Sequence, residues 1–275
     1  MAESFRSPGK IARRLKYLPL AMSKIQNWPA FMFHYALGLK PKGAYVFRNG
    51  ARLIISRGVD HVPIIEIFLN QDYGTIADGA VVLDLGANIG AFTVYAVTTA
   101  HGVRVYAYEP LPEFCAVLKR NVRLNQRDES VHCFNCAVAS EAGPRHLAVG
   151  GDLLFPTLIN ETRNENREQV PVSCTTLAQI MDSNHLEHVD LLKMDCEGAE
   201  YEILYSTPSS HLQRISEIRM EYHNLDSSDR HVESLKRFFV QSGFTITHLR
   251  PASEAGGTLW ARQQDAFLAG NKAND

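Results

Sequence analysis

A histidine and several carboxylates lie at the ends of two apolar, strand-like runs in the second half of the sequence. Asp195 and Glu197 follow the run VDLLKM, while Glu221 and His223 end the run SEIRMEYH. Side chains two residues apart in a strand share one face, so Glu221 and His223 point the same way. An imidazole, with an unperturbed pKa of about 6.5, can act as a general base for a reacting hydroxyl. We therefore expect Asp195, Glu197 and His223 to be the catalytic residues.

The same residues also have structural interpretations. Hydrogen bonds alone can explain a histidine at a strand end. Glu197 and Glu200 can be carboxylates of a first helical turn, where the helix dipole favours negative charge. Asp195, Glu221 and His223 could also bind a divalent metal. However, carboxylate plus imidazole suits Mg²⁺ or Mn²⁺ only poorly to moderately, so we expect no metal.

A glycine-containing turn, DLGANIG, follows the apolar run VVLDL and contains Asp84, Gly86, Asn88 and Gly90. Between a buried strand and a helix, such a turn lets a ligand approach the backbone and the N–H groups of the helix N-terminus. Glu109 follows Gly86 by 23 residues, close to the ~20-residue offset at which an acid meets ribose hydroxyls. The dinucleotide pattern GxGxxG fails because Asn88 occupies its second glycine position. The turn thus favours an adenosine-containing cofactor other than NAD, with turn capping and glycine packing as structural alternatives.

The elements that must position these residues alternate between strands and helices. The predicted strands are VVLDL, VRVYAYE, VHCFNCAV, VDLLKMD, SEIRMEYH, FTITHLR and GTLWARQ. Alternation with helical patterns predicts a doubly wound α/β sheet. The last two strands are joined only by PASEAGG, too short for a crossover helix, so we expect them to be antiparallel neighbours. Residues 140–172 are predicted to be less regular.

The N-terminal part differs from this body in charge. Residues 1–42 carry +7 and read as a basic helical arm, which leaves −9 for the rest of the chain. The following run, AYVFRNGARLIIS, predicts a β-hairpin with a type I′ turn at Asn49-Gly50. We place an arm and hairpin at 1–61 and the α/β domain at 62–275. The arm could contact a membrane surface or an acidic partner, or could cover the site as a lid.

Composition excludes some classes of protein and location. No run reaches the ~18 apolar residues of a transmembrane helix. Nucleic-acid binding is disfavoured because the body is acidic and contains no recognisable RNA-binding module. The five cysteines include Cys133-x-x-Cys136 but no second such pair, and the odd offset in a strand-like run points the two side chains to opposite faces. Free thiols and a cytoplasmic location are the expectation.

Four motifs together resemble the FkbM family of S-adenosylmethionine-dependent methyltransferases. They are VVLDLGANIGAFT, EPLPEFCAVLKRN from Glu109, DLLKMDCEGAE from Asp190 and MEYH from Met220. The resemblance extends over roughly residues 62–262 and leaves residues 1–61 outside. It implies the Rossmann-like, seven-stranded class I methyltransferase sheet with an antiparallel last strand, preceded here by the helical arm and hairpin.

The resemblance also implies S-adenosyl-L-methionine as cofactor and a hydroxyl-bearing small molecule, sugar or glycan as methyl acceptor. The methionine end of the cofactor would contact the turn after the first strand, the ribose hydroxyls would contact Glu109, and adenine would lie near Ala137. The expected cofactor-binding residues are Asp84, Gly86, Asn88, Gly90, Glu109, Ala137 and Asp195. A methyltransferase acting on protein or RNA and a non-catalytic cofactor-binding scaffold are the alternative functions.

Overall fold

The computed structural model describes residues 13–56, 61–149, 168–225 and 227–264, with the backbone of 157–158. The first part of the predicted arm, residues 1–12, lies outside these ranges. The strands are β1 (Tyr45–Val46), β2 (Arg52–Leu53), β3 (Val81–Leu85), β4 (Arg104–Tyr108), β5 (Val131–Phe134), β6 (Ala137–Val138), β7 (Gly143–Val149), β8 (Thr157–Leu158), β9 (Glu168–Thr175), β10 (Val189–Met194), β11 (Ile215–His223), β12 (Phe244–Ser253) and β13 (Gly256–Gln263).

The helices begin with two in the predicted arm and continue between the strands. They are α1 (Leu18–Lys24), α2 (Trp28–Leu37), α3 (His61–Pro63) with its π-helical continuation (Ile64–Asn70), α4 (Ala91–Thr99), α5 (Pro112–Leu124), α6 (Leu177–Ser183), α7 (Glu200–Ser206), α8 (Ser209–Leu212) and α9 (Val232–Gln241). Among the described residues, none of these helices has the length and apolarity to cross a membrane.

Seven strands form one sheet in the order β12-β13-β11-β10-β3-β4-β5. These are the seven strands predicted from the sequence. Strand β10 is parallel to both β3 and β11, whereas β13 is antiparallel to both β11 and β12. The short link between β12 and β13 allows only the antiparallel pairing. The prediction of a seven-stranded α/β sheet with an antiparallel last strand is confirmed.

A second, four-stranded sheet has the order β6-β9-β7-β8 and differs from the sequence-based expectation. The run VHCFNCAV is two strands rather than one, because β5 ends at Phe134 and β6 pairs with β9 instead. The expectation of irregular structure over 140–172 was wrong for β7 and for the start of β9, which pair antiparallel. Each of these strands contains a proline, Pro144 in β7 and Pro171 in β9, and proline weakens the sequence signal of a strand.

The predicted hairpin is present, with a different turn. Tyr45 of β1 pairs with Leu53 of β2 in antiparallel register. Of Asn49 and Gly50, only Gly50 has a positive φ, at +90°, and its N–H donates to Phe47 O at 3.0 Å. The turn runs from Phe47 to Gly50, and its last residue, Gly50, is left-handed. This is the three-residue hairpin loop with a bulge, not the type I′ turn.

The chain divides into two compact units. The described residues of Met1–Gly79, Ala87–Ala107 and Pro112–Cys133 form the first unit, and those of Ala80–Gly86, Tyr108–Leu111 and Phe134–Asp275 form the second. In the first unit, Phe47 of the hairpin stacks on Phe68 with ring centroids 3.9 Å apart, so the hairpin packs on the π-helical segment. The proposed boundary between 61 and 62 stays a prediction.

Candidate active site

Three parallel strands of the second unit bring the predicted catalytic residues to one edge of the sheet. Met194 of β10 is opposite both Leu85 of β3 and Met220 of β11. The chain beyond Met194 therefore begins beside the ends of both neighbours, and Asp195 N–H donates to Leu85 O at 3.1 Å. Asp195 and His223 accordingly lie in one cluster of side chains, as expected for the carboxyl ends of parallel strands.

The turn after β10 is organised by the buried carboxylate of Glu200, the first residue of α7. Glu200 accepts hydrogen bonds from Cys196 N–H at 2.8 Å and from Gly198 N–H at 2.9 Å. Between these two residues, Glu197 has a φ of +52°, in the left-handed region that non-glycine side chains rarely adopt. Glu200 therefore stabilises a strained turn that carries a predicted catalytic residue.

His223 is held between two carboxyl groups. Its Nδ1 lies 3.2 Å from Glu200 Oε1, and its Nε2 lies 3.4 Å from Glu197 Oε2. Asp195 completes the cluster, since one ligand atom from each of Asp195, Glu197 and His223 lies within 4.8 Å of the other two. The structure thus brings the three predicted catalytic residues together and adds Glu200, which we had interpreted only as a possible first-turn carboxylate.

Burial and the close carboxylates shift the pKa values in this cluster. Burial alone lowers the pKa of His223, but the hydrogen bond and charge of Glu200, then the charges of Glu197 and Asp195, raise it to about 10. Burial, reinforced first by Asp195, raises the pKa of Glu197 to about 8 and that of Glu221 to about 7. The pKa values of Glu197 and Glu221 thus lie near neutral pH, which is the property needed in groups that accept or release a proton during a reaction, while His223 stays protonated there.

Asp84, predicted to contact the cofactor, forms an ion pair that the sequence analysis missed. Lys193 Nζ lies 3.2 Å from Asp84 Oδ1, and both side chains are almost fully buried. Lys193 also donates to Gly86 O at 2.9 Å. Burial alone lowers the pKa of Lys193, but the charges of Asp84 and Asp195 more than offset this and raise it to about 12. The lysine in the otherwise apolar run VDLLKM was the available signal, because a charge in a buried strand requires a partner.

The two predicted glycines have close packing contacts. Gly86 has a φ of +75°, and a Cβ there would collide with the carbonyl oxygen of Asp195. Gly90 has a φ of +83°, and a Cβ there would collide with the Leu118 side chain of α5. The positive φ therefore favours glycine at both positions, and the backbone of Asp195 also requires it by packing at Gly86, in agreement with the structural alternative. Their contact with a cofactor stays a prediction.

The first unit fixes the other half of the glycine turn through Asn121, a buried residue of α5. Its side chain donates to Ile54 O at 2.9 Å and to Ile89 O at 2.8 Å, and it accepts from Ile54 N–H at 2.7 Å. Asn88, next to Ile89, adopts a φ of +51°. Asn121 thus joins the segment after the hairpin to the turn that contains Asn88 and Gly90. A polar residue on the apolar face of a predicted helix was the signal for this role.

Glu109 and Ala137 lie near each other in the second unit. Glu109 is buried at the end of β4, where its Oε1 accepts from Leu111 N–H at 2.9 Å, so it caps a local turn. Its own N–H donates to Phe134 O at 3.0 Å, at the end of β5. Ala137 begins β6 shortly afterwards and is also buried. A buried carboxylate at this strand end leaves the predicted ribose contact chemically reasonable.

The geometry agrees with the comparison with known families. A model of the methyltransferase FkbM domain matches residues 84–246, more than half of the chain and the whole region of the cluster. The chain belongs to the FkbM methyltransferase family. Family membership makes it a methyltransferase and confirms the resemblance inferred from the four motifs.

Other proteins that are similar to this chain also carry the name methyltransferase. Methyltransferase sdnD of Sordaria araneosa is 28% identical over 73% of this chain and 88% of its own length. The 31-O-demethyl-FK506 methyltransferase FkbM of Streptomyces tacrolimicus is 27% identical over 66% of this chain and 80% of its own. Among solved structures, methyltransferase FkbM from Methylobacillus flagellatus is 12% identical with a TM-score of 0.48, covering 91% of this chain and 60% of that one.

Proposed function

We propose that this FkbM family member transfers the methyl group of S-adenosyl-L-methionine to a hydroxyl oxygen of a small molecule, sugar or glycan. The observation that carries the proposal is the group of titratable side chains formed by Asp195, Glu197 and His223. A hydroxyl acceptor loses a proton when it is methylated, and such a group can accept it. The relative named 31-O-demethyl-FK506 methyltransferase supports an oxygen acceptor.

The residues proposed to bind the cofactor are chemically suited to it. Glu109 is an almost fully buried carboxylate, an acceptor for ribose hydroxyls. Asp195 Oδ1 is buried and has no hydrogen-bond partner within the described ranges, so a ligand group could satisfy it. When bound, the cofactor supplies a methyl group on a positively charged sulfonium. The full proposed set is Asp84, Gly86, Asn88, Gly90, Glu109, Ala137 and Asp195.

The chain's own residues would manage the proton and the acceptor. Glu200 accepts from Nδ1 of His223 and so orients the imidazole, which leaves Nε2 facing Glu197. Because His223 already holds a proton at neutral pH, we propose that His223 and Glu197 act as one coupled base. Asp195 would orient the acceptor or the methyl donor. Positioning supplies much of the rate, since it alone contributes up to roughly 7–11 kcal/mol.

The test is transfer of an isotopically labelled methyl group, followed by mass spectrometry of a panel of hydroxyl-bearing small molecules and glycans. Label in a small-molecule ether supports the proposal. Label in acid-precipitable material would instead indicate a protein or RNA acceptor. Binding of the cofactor without transfer to any acceptor would indicate a scaffold.

The cofactor site has its own test. In Glu109→Ala, we expect binding of S-adenosyl-L-methionine and of its demethylated product, measured by calorimetry, to weaken at least tenfold, because the ribose hydroxyls lose an acceptor. Glu113→Ala, an exposed residue of α5, is the matched control. Unchanged affinity in Glu109→Ala would refute the assignment of the ribose site.

The cytoplasmic location and the roles suggested for the basic arm stay predictions.

A further inference from the structure

The cluster at the ends of β10 and β11 has the composition of a metal site. Asp195, Glu197 and His223 each offer one ligand atom, and these atoms lie within 4.8 Å of one another. Two donors that bind one ion at roughly 2.0–2.2 Å lie at most about 4.4 Å apart. Small side-chain rotations are therefore enough to close the three donors around one ion.

An independent observation also indicates a ligand at this position. Asp195 Oδ1 is buried and lacks a hydrogen-bond partner in the part of the chain that the structure describes. A buried carboxylate oxygen without a partner is unfavourable, because it has lost its hydration without replacement. A bound cation would supply the missing partner.

The surroundings of His223 match those of a metal-binding histidine. Such histidines usually donate their second ring N–H to a carboxylate, which fixes both the tautomer and the ring orientation. Here Glu200 Oε1 lies 3.2 Å from Nδ1, and Glu200 is itself held by the N–H groups of Cys196 and Gly198. Nε2 is then the nitrogen that can bind a metal ion, and it lies on the side of Glu197, 3.4 Å from Oε2.

Charge favours a cation as well. The carboxyl groups of Asp195, Glu197 and Glu200 act on His223, and Glu221 acts on Glu197. The nearby cation Lys193 is bonded to Asp84 and to Gly86 O. The cluster thus combines one histidine with an excess of carboxyl groups, whose protons a bound cation can displace.

We propose that Asp195, Glu197 and His223 bind one divalent first-row transition-metal ion, with Glu200 as the positioning residue for His223. One imidazole and two carboxylates suit Zn²⁺ well and Mn²⁺ only moderately, and three protein ligands leave positions open for water or for an oxygen of the acceptor. The open positions matter only for the proposed O-methylation, whereas binding of the ion does not rest on it. In a chain that holds the ion, Nε2 of His223 and the carboxylate of Glu197 would be ligands, so the coupled base proposed above describes the chain without the ion. The proposal departs from our expectation of no metal and takes Glu197 in the place that we had considered for Glu221.

The test titrates the full chain, freed of metal with a chelator and then dialysed, with Mn²⁺ alone while electron paramagnetic resonance measures the free ion. We expect one bound Mn²⁺ per chain, displaced by Zn²⁺. Asp195→Asn, Glu197→Gln and His223→Gln should each weaken binding at least tenfold. Glu200→Gln should weaken it by roughly 10- to 100-fold, because the orientation of the imidazole is lost.

The matched control is His188→Gln, which alters an exposed histidine 3.4 Å from Asp190, outside the cluster. It should bind Mn²⁺ as the unmodified chain does. Circular dichroism verifies folding, and Glu197→Gln, at a partly exposed position, decides the case if Asp195→Asn does not fold. Absence of Mn²⁺ binding at millimolar concentration, or unchanged binding in folded Glu197→Gln, would overturn the proposal. The titration contains neither methyl donor nor acceptor, so its result does not depend on the proposed function. A chain that binds Mn²⁺ but transfers no methyl group in the labelling experiment would refute only the proposed function.

Discussion

The two ends of strand β11 carry charged side chains on the same face, but these side chains have opposite kinds of neighbours at the two ends. Glu217 and Arg219 occupy the first half of the strand, and Glu221 and His223 occupy its end. Alternate residues of a strand share one face, so the four form a single row. At the first end, the carboxylate is paired with arginines, and we call it the matched end. At the second, carboxyl groups outnumber their cationic partners, and we call it the unmatched end.

At the matched end, Glu217 has two cationic partners. Arg219 binds it through two hydrogen bonds of 3.0 Å, and Arg262, opposite Glu217 on β13, adds one of 3.2 Å. Burial alone raises the pKa of Glu217, but the two arginines more than offset this and lower it. Arg219 also lies over the Trp260 ring at 4.8 Å, so its position is fixed on both sides.

At the other end, Glu221 and His223 face further carboxylates. The pKa values of Glu197, Glu221 and His223 are all raised, so this end binds protons that the matched end does not. The difference shows that a row of charges on a strand becomes structural where its partners are complementary. Where they are not, the pKa values shift so that the row can exchange protons.

The largest expected effect is on catalysis at the unmatched end. His223→Gln should reduce methyl transfer by roughly 10²–10⁴-fold, the usual contribution of a proton-accepting group. Steady-state rates on the acceptor found by the labelling experiment provide the measurement. His188→Gln, at an exposed histidine, should retain full activity. Undiminished turnover in folded His223→Gln would show that His223 is not part of the proposed coupled base.

The next effect concerns stability at the matched end. Arg219→Met leaves buried Glu217 with only the half-exposed Arg262 and should reduce the free energy of unfolding by about 3 kcal/mol. Urea denaturation measures this change. The double variant Glu217→Leu with Arg219→Met should recover most of the loss, because no buried charge remains unpaired. A loss below about 1 kcal/mol in Arg219→Met would contradict the structural role of the pair.

The two ends should also respond to pH with opposite signs. The pKa of His223 is raised to about 10, so its stabilisation is complete below its unfolded pKa of about 6.5 and is lost as pH rises through 10. The pKa of Glu217 is lowered, so its contribution is present above its unfolded pKa of about 4.3 and is lost as pH falls further.

Thermal melting checks both signs. Melting temperatures are measured in the presence of a chelator from about pH 3 to about pH 10, in steps of about one pH unit. His223→Gln should flatten the decline above about pH 6.5, while Glu217→Gln should flatten the decline in acid. Identical pH profiles for the unmodified chain and His223→Gln would contradict the raised pKa of the histidine.

The smallest effect compares one glutamate from each end. Glu221→Gln removes a carboxylate from a crowded negative cluster and should raise the free energy of unfolding at pH 8 by about 1 kcal/mol. Glu217→Gln removes a matched carboxylate and should lower it. Chemical denaturation of the two variants under one set of conditions gives the signs, and equal signs would break the comparison.

Part of this contrast could be predicted from the sequence. The run SEIRMEYH predicts a strand, and its period places Glu221 and His223 on one face. The rule that ligands bind beyond the carboxyl ends of parallel strands correctly placed Asp195 and Glu197 in the same cluster. The pairing of Glu217 with Arg262 could not be predicted, because Arg262 lies opposite it only after β13 has inserted between β11 and β12.

The residues that position the site were harder to predict from the sequence. Glu200 reads as an ordinary first-turn acid, and its contact with His223 joins two different elements. Lys193 and Asn121 bond groups that are far away in the sequence, Asp84 in one case and Ile54 and Ile89 in the other. Local patterns show that such residues are polar in apolar surroundings, but they do not identify the partner.

By itself, the sequence determined the seven strands of the main sheet, the antiparallel last strand and the strand ends at which reactive side chains stand. These follow from hydrophobic periodicity, turn residues and connection length, all of which act over short stretches of chain. Only the tertiary structure decided that Asp84 is neutralised by Lys193 while Asp195, Glu197, Glu200 and Glu221 crowd around one histidine. Electrostatic energy depends on distance and burial, and the fold sets both between residues that the sequence keeps apart.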